Sequence, residues 1–258
     1  MQLDNQTALI TGAGRGIGQG IALALAQAGA NVVAADVDLA IAEETSEKVK
    51  ALGRKSAAIE VDVTQADSIE AMVNEAESRV GPLDIAVNNA GVISIMGVDK
   101  LDAEKWDSLM AVNARGVFLC TQAEINVMRP RRFGRVINVS SICGKVGLPD
   151  LSHYCASKFA VIGFSNAVAK EVAEEGITVN ALCPGIVGTG MWRGEHGLAH
   201  AWREEGESEE DSWARHQATF LPQGVAQTPE DMGGLAVYLA GAEHVTGQAI
   251  AVDGGFSL

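Results

Sequence analysis

The stretch TALITGAGRGIGQGIALAL, Thr7 to Leu25, joins a short β-forming run to a glycine-rich turn and then to a helix-forming apolar pattern. The glycines of the turn are Gly12, Gly14, Gly16 and Gly18. Glycine tolerates positive φ and close backbone approach, so such a turn can wrap a pyrophosphate at a helix N-terminus. A glycine pattern alone is weak evidence, and its setting gives it weight. A strand precedes it, a helix follows, and the next strand pattern, NVVAAD (31–36), ends on Asp36. A carboxylate there accepts hydrogen bonds from an adenosine ribose. It also repels a 2′-phosphate, by on the order of a few kcal/mol at short range. Arg15 pulls the other way, because a guanidinium could pair with that phosphate. Asp36 is the stronger influence, and NAD is the expected cofactor.

Outward from this stretch the alternation continues. Further β-rich runs are AAIEVD (57–62), DIAVNN (84–89), GRVINVS (134–140), ITVNALC (177–183) and QAIAVD (248–253). Helical patterns fall at about 17–28, 39–52, 66–80, 103–129, 154–175 and 229–239. Such alternation implies βαβ units and a parallel sheet covered on both faces. With no linker, repeat or shift in composition, the expectation for residues 1–258 is a single doubly wound Rossmann domain of the α/β class. The net charge of −14 excludes nucleic acid and anionic membrane as partners. The N-terminal MQLDNQ shows neither the basic nor the apolar region of a secretory signal, and no apolar run approaches a membrane span. Cys120, Cys143, Cys155 and Cys183 are scattered and read as reduced thiols of a cytoplasmic protein. No metal is expected: His196 and His200 are spaced as zinc ligands can be, but no H-E-x-x-H surrounds them, and they read as surface residues.

YCASK (154–158) sets a phenol and an ammonium at i and i+4 of a helix, on one face. A free tyrosine titrates near pH ~10, and an adjacent cation favours the phenolate. Tuned in this way, Tyr154 could exchange protons near neutral pH with Lys158 as the cation.

The glycine spacing Gly-x-x-x-Gly-x-Gly (12–18), with NNAG (88–91), Asn113, Ser141 and YCASK in this order, resembles the short-chain dehydrogenase/reductase family over essentially the whole chain. The resemblance implies seven parallel strands with the active site at their carboxyl ends. It implies that Tyr154 is the general acid/base, that Lys158 lowers its pKa and holds the nicotinamide ribose, and that Ser141 orients the carbonyl. Asn113 would hold a water linking Lys158 to solvent. Beside the glycine turn and Ile17, Asp62 and Val63 would border the adenine, and backbone groups from Asn88 through Asn89, Ala90 and Gly91 would line the cofactor. Pro184, Gly185, Ile186, Val187 and Thr189 would pack on the nicotinamide. The resemblance further implies a homotetramer built on the helices near 103–129 and 154–175. Small residues there (Ala156, Ala160, Gly163, Ala167) face either a symmetry mate or the protomer's own sheet.

PGIVGTGMW (184–192) and PDLSHY (149–154) resemble the acetoin reductases, butanediol dehydrogenases and polyol dehydrogenases of that family. Ile142 and Leu148 flank the expected substrate position and are apolar, so a small diol, hydroxyketone or simple secondary alcohol suits it better than a heavily hydroxylated polyol. Between Gly190 and Gln223 lie three of the four tryptophans and the acidic run ESEED (207–211). This segment reads as a lid, with Trp192 on the substrate. Two other functions share the motifs: a 3-oxoacyl-[acyl-carrier-protein] reductase and a non-enzymatic nucleotide-sensing module. Asp36 and the acidity speak against the first, and the intact Ser141/Tyr154/Lys158 set against the second.

Overall fold

The computed structural model describes residues 2–195 and 197–258, so the expectation for His196 lies outside the described residues. Seven strands form one sheet: β1 (Thr7–Thr11), β2 (Asn31–Asp36), β3 (Ser56–Glu60), β4 (Leu83–Asn88), β5 (Gly134–Val139), β6 (Ile177–Pro184) and β7 (Ala249–Val252). Their order is β3-β2-β1-β4-β5-β6-β7, and each neighbouring pair is parallel. The winding direction reverses between β1 and β4, which opens a crevice at the carboxyl ends of those strands.

The continuous apolar character of the strands follows from burial on both sides. Every residue of β1, β2, β5 and β6 is buried. Side chains alternate faces along a strand, so Ala8 and Ile10 enter one core while Leu9 enters the other. The first core is closed by α1 (Gly16–Gln27) and α2 (Leu39–Ala51). The second is closed by α3 (Ala66–Arg79) and, beyond α4 (Ala103–Met110), by α5 (Val117–Met128) and α6 (Ser152–Val172). After β6 come the short α7 (Leu198–Ala201) and α8 (Glu209–Phe220); α9 (Pro229–Gly241) then returns to the first core. No helix among the described residues is long and apolar enough to cross a membrane.

One sequence expectation needs correction. The single helix expected over 103–129 is divided: α4 and α5 flank a π-helical turn at Ala111–Gly116. A π-turn accommodates one extra residue, and here the extra residue turns Asn113 inward, where its side chain is fully buried. The facing of the small residues of α6, left open by the sequence, varies along the helix: Ala156 is half-buried. Ala160, Gly163 and Ala167 are exposed, and a Cβ on Gly163 would meet nothing within 4 Å.

Residues 190–195 and 197–223 form a packed unit. Trp192, Leu198 and Trp213 are buried with Ile186 and Leu221 in a core of their own. Ser208 caps α8, accepting from the Asp211 amide at 3.1 Å, and three carboxylates occupy the first turn, where they complement the helix dipole. Two arginines tie the unit together: Arg193 binds Glu209 at 2.7 Å, and Arg215 binds Glu207 at 2.8 Å.

Candidate active site

The glycine turn owes its shape to side chains that take its carbonyls. Asn89 Nδ2 donates to the Thr11 and Gly12 carbonyls, both at 3.0 Å. Thr45 Oγ1 donates to the Ala13 carbonyl at 2.9 Å, and Gln19 Nε2 to that of Gly14 at 3.1 Å. Thr11 Oγ1 in turn accepts from the Asn89 and Ala90 amides at 3.1 and 3.2 Å. With its carbonyls held inward, the turn can present amides outward. The first turn of α1 carries no acidic side chain, and Arg15 at its N-cap makes no capping bond, whereas α2, α4, α8 and α9 are all capped. A missing cap forgoes about 1 kcal/mol and leaves amides open to an anion.

The cradle fits a dinucleotide. Gly12 and Gly16 have φ of 64° and 56°. A Cβ on Gly14 would lie 2.3 Å from Ile41 Cγ1 and 2.9 Å from Asp36 Oδ2. Asp36 is buried at the end of β2, and its Oδ2 accepts from the Gly14 amide at 2.9 Å. Arg15 is exposed beside it. Asp62 is exposed and accepts from the amide and hydroxyl of Thr64, while Val63 packs under Gly116. Asn88 differs from its neighbours in the NNAG run. Its side chain is buried in a network with Thr121, Glu124 and Asn138 at 2.9 to 3.2 Å, so it braces β4 and does not line the crevice.

One cavity brings most of the remaining residues together. Ser141, Tyr154 and Lys158 line it, with Ile17, Asn89 and Gly91 on the nucleotide side and Pro184, Gly185, Val187 and Thr189 beside them. The expected substrate contacts Ile142, Leu148 and Trp192 line the same cavity. Thr189 also meets the glycine turn: a Cβ on Gly16 would lie 3.3 Å from its methyl group. Lys158 Nζ donates to the Val139 carbonyl at 3.0 Å, lies 5.7 Å from the Tyr154 ring centre and keeps protons for further partners. Asn113 is placed differently. Its amide is held by the Val92 backbone, accepting from N and donating to O at 2.8 Å, and it also reaches Ser157 Oγ at 3.2 Å.

The electrostatics depart from the sequence reading. Burial pushes the Tyr154 phenol well above its ordinary range, with the neighbouring Cys143 adding to the rise; a contact with Ser141 acts in the opposite sense. Burial also lowers Lys158, to about 8. Desolvation thus dominates at both groups in the ligand-free protein, favouring the protonated phenol and weakening the hold of Lys158 on its charge.

The residues that sequence reasoning missed lie mostly on the substrate side. Trp202, Phe220 and Phe256 line the cavity, as do Ile93, Met191 and Leu198. Trp202 and Phe220 belong to the segment read as a lid, but nothing in their spacing distinguishes them from core residues. Phe256 follows β7 and carries no motif at all.

Comparison with known proteins bears on this arrangement. The family model described as short chain dehydrogenase matches residues 6–196. The chain belongs to the short-chain dehydrogenase family. Family members are oxidoreductases that use nicotinamide cofactors. The chain is 37% identical over 259 residues to 2-(S)-hydroxypropyl-CoM dehydrogenase 3 of Xanthobacter autotrophicus, covering 99% of this chain and 98% of that one. It is 38% identical over 258 residues, with the same coverage, to galactitol 2-dehydrogenase of Agrobacterium fabrum. A 3-oxoacyl-[acyl-carrier-protein] reductase of Synechocystis is 35% identical over 98% of this chain and 97% of its own. Among solved structures, one described as a short-chain alcohol dehydrogenase from Sinorhizobium meliloti superposes with a TM-score of 0.90. It is 34% identical, covering 99% of this chain and 97% of that one.

Proposed function

We propose that this dehydrogenase uses NAD to interconvert an uncharged secondary alcohol and its ketone, with Tyr154 as general acid/base. The carrying observation is the single cavity in which Tyr154, Ser141 and Lys158 meet the residues beside the nucleotide turn. A bound nicotinamide supplies hydride acceptance in one direction and hydride donation in the other. In oxidation, Tyr154 Oη takes the hydroxyl proton of the alcohol while Ser141 Oγ hydrogen-bonds the same oxygen as it becomes a carbonyl. In reduction, the buried phenol gives the proton back. Lys158 favours the phenolate whenever it is charged. Asn113 holds the Val92 backbone next to Gly91, and its Oδ1 keeps a lone pair for the water that would link Lys158 to solvent.

Asp36 supports NAD over NADP. Its carboxylate faces the place where a 2′-phosphate would sit, while Arg15 has no side-chain hydrogen bond among the described residues and supplies the only counterweight in the turn. The acyl-carrier-protein reductase reading has relatives of similar identity. Against it stand Asp36, the charge of −14, which repels an acidic carrier, and the absence of any cation but Lys158 from the described cavity lining.

The segment 190–223 reads as a lid, since it supplies Trp192 and Trp202 to the cavity wall from a packed unit outside the two sheet cores. Cofactor-dependent protection of this segment in hydrogen exchange is the expected sign of closure. Equal protection with and without NAD would make it a fixed element. A homotetramer is supported by the exposed Trp106, Phe118 and Phe159 on α4, α5 and α6, next to the exposed small residues of α6. Thermal stabilisation by each nicotinamide cofactor, followed by assays of secondary alcohols and 3-oxoacyl thioesters, tests the proposal. Stabilisation by NADP alone, with turnover of thioesters alone, would overturn it.

A further inference from the structure

Part of the cavity lining is aromatic, and its rings are joined in series through His216, which stands behind the lining. Trp192 and Trp202 meet edge to face, with centroids 5.8 Å apart at 74°. His216 lies 5.6 Å from Trp202 and stacks on Phe220 at 5.7 Å, and Phe220 lies 5.1 Å from Phe256. Around them the wall continues in aliphatic side chains: Ile93, Leu148, Leu151, Met191 and Leu198. Apart from the indole N–H groups of Trp192 and Trp202, the polar side chains on the lining are Ser140, Ser141, Cys143, Tyr154, Lys158, Asn89 and Thr189, which belong to the catalytic and nucleotide stretches.

The segment that supplies the wall contains arginines, and these are turned elsewhere. Arg193 is held by Glu209 and Glu210 and lies over the outer tryptophan, 5.1 Å from the Trp213 ring. Arg215 is held by Glu207 and donates to the Trp202 carbonyl at 2.9 Å. Neither they nor Arg203 line the cavity.

We infer that the substrate is an uncharged secondary alcohol, or its ketone, carrying an aryl or cyclic hydrocarbon group next to the reacting carbon. This rests on the dehydrogenase reading and goes further by choosing among its substrates. An anionic substrate would meet no cation on the wall. A polyol would bring several hydroxyls against hydrocarbon, and each one left without a partner lowers binding by roughly tenfold or more. A small diol would leave the aromatic wall uncovered. A ring seated there gains both apolar burial and edge-to-face contact with Trp192 and Trp202. Of the classes expected from Ile142 and Leu148, a small diol, hydroxyketone or simple secondary alcohol, the wall thus favours the last, in a bulkier apolar form. Those two residues show only the near side of the pocket.

Steady-state kinetics of the intact protein test this with three probes that share a secondary carbinol: 1-phenylethanol, butane-2,3-diol and galactitol. The expected result is a kcat/KM for 1-phenylethanol on the order of a hundredfold above either of the others. If the diol or the polyol matches or exceeds it, the aryl inference fails and the dehydrogenase reading stands. If no secondary alcohol or ketone turns over with either cofactor, both fail. In Trp202→Ala and Phe256→Ala proteins with wild-type melting curves, the aryl-to-diol ratio should fall at least tenfold, and Trp202→Phe should restore most of it. An unchanged ratio in the folded alanine variants would overturn the inference, because the wall would then not touch substrate. The wild-type comparison decides the matter by itself where a variant does not fold.

Discussion

The two halves of the cavity are built on different physics. On the nucleotide side the ligand-facing surface is backbone, shaped by glycines and held by polar side chains that bind its carbonyls: Asn89, Thr45 and Gln19. On the substrate side it is side chain, a set of rings contributed by three separate stretches around Trp192, Trp202 to Phe220, and Phe256. A backbone site needs particular residues at particular spacings, because φ and hydrogen-bond geometry are unforgiving. A ring-lined site needs only enough apolar surface of the right shape, which many sequences supply. The first kind of site is therefore tied to one ligand, and the second is free to change.

The sharpest cut along this division is Tyr154→Phe, at the seam. Removing one hydroxyl should lower turnover by about a thousandfold or more while leaving NAD binding, measured by calorimetry, and the melting temperature unchanged. Turnover within threefold of wild type would falsify the assignment of the base.

Next in size is the pH dependence. Burial raises the Tyr154 phenol, so the phenolate required for alcohol oxidation is scarce at neutral pH and grows about tenfold per pH unit. From pH 6 to 8, kcat/KM for oxidation should rise about a hundredfold, whereas ketone reduction, which uses the protonated phenol, should change less than threefold. The rise in oxidation should slacken beyond pH 8, as Lys158, lowered to about 8, loses the charge that favours the phenolate. A flat oxidation profile would mean that proton transfer does not pass through this phenol.

Asp36→Ala isolates the nucleotide side. It should lower the NAD-to-NADP ratio of kcat/KM by tenfold or more, with Arg15 then free to engage the phosphate, and leave the ranking of alcohols unchanged. A wild-type preference for NADP would refute the argument from Asp36 at its root, and an altered alcohol ranking would show that the halves are coupled.

The smallest expected effect lies beneath both halves. Glu124 is fully buried against Asn88, and burial raises its carboxyl to about 7. The folded protein thus holds a proton that the unfolded chain releases near its ordinary carboxyl value. The associated stability is fully present below that value and is lost as pH rises through about 7. Glu124→Gln should melt a few degrees higher than wild type at pH 8 and show no such gain at pH 4. Equal differences at both pH values would mean that Glu124 does not carry the proton.

What could be read from the sequence follows the same division. Gly12 to Gly18, Asp36 and the Tyr154–Lys158 pair were legible because each satisfies a local rule of spacing. The strands were legible because burial on both faces produces unbroken apolar runs, as in β1 and β2. The direction of the Tyr154 shift was not, because desolvation depends on what surrounds a group, and Cys143 reaches it through the fold. The bracing role of the Asn88 side chain was not legible for a related reason: within NNAG only the strand's pleat determines which asparagine side chain faces the crevice. Phe256 and Phe220 were invisible because a ring in contact with substrate and a ring in a core look the same in a linear pattern.

The π-turn at Ala111–Gly116 sets a helical phase. Trp106 and Phe118 stand twelve positions apart; in an uninterrupted α-helix they would point about 120° away from each other. With one extra residue absorbed by the wider turn, the angle closes to about 20°, and both rings emerge on the exposed flank. The same extra residue turns the Asn113 amide onto Val92, beside the cavity. Deleting one residue from this turn would therefore unlatch the loop after β4 while leaving Phe118 in phase with Trp106, because eleven regular α-helical positions also close to about 20°. The extra residue thus serves the interior of the catalytic end, and the outer face of the same helix keeps its alignment.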